Sequence, residues 1–480
     1  MFFSSFKYFA FLFIVYSIFT FLKWCFGTSY FRMSTMSDKL KSLILFSVLL
    51  FSSAYFYISW SLRYFFLIAG SILFNYLIGL TIEKLTQYRR TVLFIGIFVN
   101  VLVLFYYKYL FFVLGNIDLV FGTEFCIEKI ILPLAISFFT FQQIAYISDC
   151  YMERMRPETS LLKYALFVMF FPKLVSGPIV NFQKMRDQFD GLLCQKTDYE
   201  YLVRGIFRLT IGLFKKVVIA DTLALIVQQG YADGATLNLP VSAISTFGYA
   251  LQLYFDFSGY TDMAIGSAML FGIRLPENFN SPYIASSIRD FWRRWHITLS
   301  TWVRDYIYIP LGGSRTNPTL VCCNLFISFF IIGIWHGAGW TFIAWGILHG
   351  LAVITNYIWS KSGIRLPNLI GRLSTFVFVS FAWVLFKAES LDQAFFIYNG
   401  FFKLTRLPLN TILGHQIGLI CTLCAAVMIL PNSRSIENSI SELSAYTQSV
   451  WISLLISIMF FLSIIAMIVG NNKPFLYFQF

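Results

Sequence analysis

Apolar runs close to the length of a membrane span recur from one end of the chain to the other, separated by short polar or basic stretches. About 20 apolar residues carry an α-helix across a bilayer core. The runs predict spans near 4–22, 42–59, 64–82, 91–114 and 131–148, a longer segment at 241–273, and further spans near 321–345, 346–360, 370–387, 411–430 and 450–470. They are too long and continuous for the alternating strands of a β-barrel. The pattern therefore predicts an all-α polytopic membrane protein with about eleven transmembrane helices.

The middle of the chain is less regular. Phe171-Pro172-Lys173-Leu174-Val175-Ser176-Gly177-Pro178 interrupts an apolar run, which predicts a re-entrant or broken helix. Residues 201–230 place Arg204, Arg208, Lys215 and Lys216 near helical spacing, as in an interfacial amphipathic helix. Residues 281–315 are polar, aromatic and basic. With no internal repeat, the chain reads as a single membrane domain over 1–480, its catalytic core at about 131–360.

Composition agrees. The 480 residues are 58% hydrophobic and only 12% charged, against about 25% in soluble domains. The formal charge of +13 sits in loops beside apolar runs and fits membrane lipid rather than nucleic acid. Lys23, Arg32, Lys39 and Lys41, then Lys84, Arg89 and Arg90, then Arg154, Arg156 and Lys163 mark cytoplasmic loops. Asp118, Glu124 and Glu128 against the single Lys129 mark the opposite side, which puts the N-terminus outside. Met1–Trp24 lacks a small-residue cleavage site and reads as a first span, not a removed signal. The eight cysteines form no framework, and Cys322, Cys323, Cys421 and Cys424 read as buried packing residues.

The chemistry concentrates around histidine. His336 lies in Trp335-His336-Gly337-Ala338-Gly339-Trp340, within a stretch that has no charged residue from Thr316 to Ser360. A polar group in a span is costly and marks a functional candidate. A neutral imidazole can accept a proton near neutral pH. His349 reads as packing and His415 as interfacial. Asp256 and Asp262 could bind a cation, hold a proton or pair with an arginine; pairing is favoured because Arg289, Arg293, Arg294 and Arg304 follow downstream. Arg289-Asp290-Phe291-Trp292-Arg293-Arg294-Trp295-His296 fits either an interfacial helix on lipid phosphates or a patch receiving an anionic donor. There is no P-loop, HExxH or G-x-S-x-G, and no Cys/His/carboxylate cluster at metal-ligand spacing.

Several motifs together resemble the membrane-bound O-acyltransferase (MBOAT) family. They are Tyr254-Phe255-Asp256-Phe257-Ser258-Gly259-Tyr260, Phe291-Trp292-Arg293-Arg294-Trp295-His296, Leu299 to Tyr306, Tyr308-Ile309-Pro310-Leu311-Gly312-Gly313 and Trp335-His336-Gly337. Leu132-Pro133-Leu134, Ser137 to Gln142, Ser176-Gly177-Pro178 and Pro474-Phe475-Leu476-Tyr477-Phe478 extend the likeness along the chain. Within the family they are similar to the bacterial branch containing the alginate O-acetyltransferase membrane subunit. The resemblance implies a ring of helices around a funnel, with His336 and His296 catalytic. Arg293, Arg294, Trp335 and Asp256 are the residues expected to bind donor or substrate. It implies acetyl-CoA as a cytoplasmic acyl donor, with no tightly bound cofactor and no metal. It also implies a periplasmic acetyltransferase partner protein, a polysaccharide acceptor and a bacterial inner-membrane location. The acceptor expected first is an alginate-type exopolysaccharide.

Three other readings stand beside it. One is O-acetylation of peptidoglycan or cellulose, and another is D-alanyl transfer to teichoic acid. The third, from a different class, is a polysaccharide or lipid transporter with helices broken at Pro133, Pro172 and Pro178. An inverted repeat would favour the transporter.

Overall fold

A computed structural model describes residues 3–27, 36–123, 125, 130–192, 199–232, 234–364, 366–403, 411–442, 446–470 and 474–476. Arg32, Glu124, Glu128, Lys129, Tyr477 and Phe478, used above, lie outside them. Among the described residues the regular structure is entirely helical. Among the described residues, seven helices are long and apolar enough to cross a membrane, or eight if the bent pair 413–429 and 433–439 is one span. Each of the expected runs contains helix, and seven or eight of the roughly eleven expected spans have, among the described residues, the length and apolarity of a crossing helix. Ile136–Tyr151 has only 16 residues, and the Leu239–Leu270 helix is interrupted by polar side chains such as Gln252, Asp256 and Asp262.

Contacts divide the chain into two compact units, Met1–Leu209 with Thr261–Pro276, and Thr210–Tyr260 with Glu277–Phe480. In the first unit, Ile136–Tyr151 is buried continuously from Ile136 to Cys150. A helix buried on every face belongs to a core. The apolar run after it is broken where the prolines predict. The Leu161–Met169 helix ends at Phe170, and Pro172 lies in the first turn of the short Phe171–Leu174 helix. The amide freed at Phe171 donates to Ser53 Oγ at 3.1 Å, so protein satisfies the interruption.

The basic 201–230 segment departs from expectation. It forms Tyr199–Phe214, a π-helical stretch Lys215–Ala220, and Asp221–Tyr231. Arg208 and Lys216 are buried, not spread on an interface. In the first unit Arg208 pairs with Asp262 at 2.8 Å; in the second, Lys216 lies 2.7 Å from both Asp256 and Asp221. The two buried carboxylates therefore take upstream cations, not the downstream arginines. Burial disfavours the Lys216 ammonium, but its carboxylates outweigh that and hold its pKa above the usual lysine value.

In the second unit, Pro318–His336 and Trp340–Trp359 form an antiparallel hairpin. The break falls at 337–339, not near 345 as the hydropathy suggests. A Cβ on Gly333 would sit 2.9 Å from the Gly346 Cα, so the two backbones cross with only hydrogen between them. A Cβ on Gly337 would meet the Phe342 ring at 2.2 Å. That turn leaves His336 as the last residue of its helix. Among the cysteines, Cys323 and Cys421 are exposed on their helices, contrary to the expected burial.

Candidate active site

His336, 4% exposed, is enclosed by rings. Trp335, Trp345 and Phe386 lie 4.9, 5.1 and 5.0 Å from it between centroids, all edge-on. Trp335 also approaches His296, at 6.2 Å, so one indole borders both histidines that the resemblance singles out. Phe257 closes the other side of His296 at 4.8 Å. Such a setting is dry, and electrostatic effects there are stronger than in water.

His296 sits between two short helices, Ile288–Arg294 and Ile297–Val303, with the left-handed conformation φ 43°, ψ 54°. Non-glycine residues rarely hold that conformation unless their surroundings enforce it, and functional sites are enriched in such strain. Asn278 supplies part of the enforcement. Its Oδ1 accepts from the Thr298 amide at 3.2 Å and the Thr298 hydroxyl at 2.9 Å, and lies 3.1 Å from His296 Nδ1. A backbone amide can only donate, so the Asn278 atom facing it is the oxygen. His296 Nδ1 must then carry the proton, and neutral His296 presents a lone pair on Nε2. Burial pushes the His296 pKa well below the usual imidazole value, which keeps the ring neutral. In that state Nε2 accepts a hydrogen bond; it cannot donate one to a developing oxyanion.

The remaining expected residues divide. Trp335 is part of the wall between the histidines. Asp256 is 1% exposed, is held by Lys216, and accepts the Leu476 amide at 3.1 Å. Arg294 is committed within the chain, to Asp290 at 2.9 Å and to the Asn280 carbonyl at 3.3 Å. Arg293 is exposed. His349 is fully buried and its Nδ1 accepts from Trp292 Nε1 at 3.3 Å, which ties the Ile288–Arg294 helix to the Trp340–Trp359 helix. Trp345 lies 4.6 Å from His349 and 5.1 Å from His336 between centroids. Asn278, Phe257, Phe386 and Lys216 join the site in three dimensions, beyond the residues the sequence marks out. Phe257 lies inside the 254–260 motif, where Asp256 draws the attention; Asn278, Phe386 and Lys216 lack a motif, and only the partners they meet give them a role.

Residues 152–391 match the model of MBOAT, the membrane-bound O-acyltransferase family. The peptidoglycan O-acetyltransferase of Helicobacter pylori is 43% identical over 75% of this chain and 74% of the relative. The probable alginate O-acetylase of Azotobacter vinelandii is 36% identical over 90% of this chain and 94% of the relative. The teichoic acid D-alanyltransferase of Bacillus subtilis is 30% identical over 53% of this chain and 69% of the relative. With its apolar helices and this match across half its length, the chain is a multi-pass membrane O-acyltransferase and belongs to the MBOAT family.

Proposed function

We propose that this enzyme moves an acetyl group from a cytoplasmic thioester, acetyl-CoA, across the bacterial inner membrane for O-acetylation of an extracytoplasmic polysaccharide, with a periplasmic acetyltransferase partner completing the transfer. The observation that carries this reading is the shared Trp335 wall between two buried histidines, His296 and His336. An alginate-type exopolysaccharide is the first acceptor, in line with the name of the Azotobacter relative. The Helicobacter relative supports peptidoglycan as the second.

In this reading His336 takes the proton of the attacking hydroxyl. The hydroxyl oxygen bonds to the thioester carbonyl carbon, the C–S bond breaks, and the proton passes from His336 to the departing thiolate. General-base assistance of this kind is worth roughly 10²–10⁴-fold. His296, with its Nε2 lone pair, orients an O–H or N–H of acceptor or donor. The ring cage excludes water that would hydrolyse the thioester. Arg293, the exposed member of the arginine pair, is the better candidate for the donor's phosphates, because Arg294 is already engaged by Asp290. A strain lacking this chain tests the reading: its envelope polysaccharide should lose O-acetyl groups and regain them on complementation. Unchanged O-acetyl content in the deletion strain would contradict it.

A further inference from the structure

In the second unit the helix Thr411–Ile429 is followed, after a bend of 53°, by the helix Ser433–Glu442. Pro431 lies in the bend and has no amide with which to continue the first helix. Asn432 caps the second. Its Oδ1 accepts from the Ser435 amide at 2.9 Å, so the other side-chain atom is the nitrogen. That nitrogen donates to Asn280 Oδ1 at 3.0 Å and to Ser281 Oγ at 2.9 Å, which uses both of its hydrogens. Lys215 Nζ holds the same bend, through Ser433 Oγ at 2.6 Å.

The segment that Asn432 grips is the one against which the His296 turn is built. The Asn280 amide donates to the Arg294 carbonyl at 2.9 Å, and the Ile297 amide donates to the Asn278 carbonyl at 3.0 Å. Those two bonds bracket Trp295 and His296. Between them Phe279 packs edge-on against Trp295 and Phe257, each at 5.0 Å between centroids. Ser281 and His296 both hold a left-handed backbone, with φ 46° and 43°. Neither is glycine, so each conformation persists only where its surroundings enforce it. Asn432 supplies part of that enforcement at Ser281, from 151 positions away in the chain.

We propose that Asn432 is a positioning residue for acyl transfer. By clamping Asn280 and Ser281 it fixes the segment 278–281, and through that segment the backbone and ring of His296. The proposal rests on the role given above to His296. Asn432 is half-buried, and its links to His296 are the hydrogen bonds just described. A reactive group displaced by about 1 Å can lose about 100-fold in rate, so a clamp outside the histidine cage has leverage on the chemistry inside it.

Two readouts test this. Cells lacking the chain, complemented with variants at matched membrane levels and fed labelled acetate, report the rate of O-acetyl incorporation into envelope polysaccharide. Histidine-selective nitrogen NMR of the full-length protein in bilayers, assigned with His296→Gln, reports the His296 ring directly. Asn432→Ser keeps a capping oxygen for the Ser435 amide but is too short to reach Asn280 and Ser281 as well. It should slow incorporation about tenfold and disturb the His296 ring signals. Asn432→Asp keeps the reach, and the Asn280 amide and Ser281 hydroxyl can turn to donate to it, so its rate should stay within about threefold of the parent. Asn280→Ala with Ser281→Ala cuts the clamp from its other end, should match Asn432→Ser, and replaces that variant if it fails to fold. Combining all three substitutions should cost no more than either cut alone. Parental rate with parental His296 signals in the cut variants would overturn the proposal, and so would additive losses in the combined one. Disturbed His296 signals at the parental rate would uphold the clamp and overturn the role of His296 instead.

Discussion

The Asn278 side-chain oxygen fixes the tautomer of His296. It receives the Thr298 amide and hydroxyl, and the ring nitrogen 3.1 Å away must therefore donate to it. One asparagine thus decides which nitrogen of a buried histidine is available for chemistry.

Asn278→Leu should free the His296 ring to adopt either tautomer. We expect acetyl transfer to fall about 10–100-fold, the scale of groups that orient an active residue. Asn278→Asp retains the acceptor oxygen and should recover part of the rate. Acetyl transfer by matched amounts of purified variants checks this. Equal rates for Asn278→Leu and the parent would show that the tautomer does not matter.

The buried Arg208–Asp262 pair makes a thermodynamic prediction. Removing one partner leaves a buried charge uncompensated, which costs about 3–5 kcal/mol, whereas replacing both by apolar groups is often close to neutral. Asp262→Leu should therefore lower the melting temperature sharply in detergent, and Arg208→Met with Asp262→Leu should restore most of it. A double variant no more stable than the single one would contradict the pairing.

His296 also sets a direction for pH. Burial makes the folded ring a weaker base than the unfolded one, whose pKa is about 6.5. As pH falls through that value the unfolded chain takes up a proton that folded His296 refuses. The stability present above about pH 6.5 is then lost on acidification. Thermal unfolding at about pH 7.5 and pH 5.5 should show a larger drop for the parent than for His296→Gln. An equal drop in both would place the acid sensitivity elsewhere.

Much of this architecture is legible in the sequence, for identifiable reasons. Long apolar runs fix where helices form, and Pro172 fixes where one breaks, because each acts through local backbone chemistry. His336 stands out because a polar residue in an uncharged stretch is conspicuous in one dimension. Pairings are another matter. Arg208 and Lys216 look like an interfacial face until three-dimensional packing turns them toward Asp262 and Asp256. The hairpin break at Gly337 escapes hydropathy because glycine and alanine there are as apolar as a span. Asn278 carries no periodic signal, and its importance comes only from meeting Thr298 and His296. The role of His296 is sharpened for the same reason: the sequence supplies an imidazole, and its neighbours select the lone pair.

The most direct test of the central claim is the O-acetyl content of envelope polysaccharide in cells whose only copy of this enzyme carries His336→Ala. The account predicts loss of acetylation to the level of the deletion strain, with the variant protein present in the membrane at the parental amount. Near-parental acetylation in that strain would contradict it.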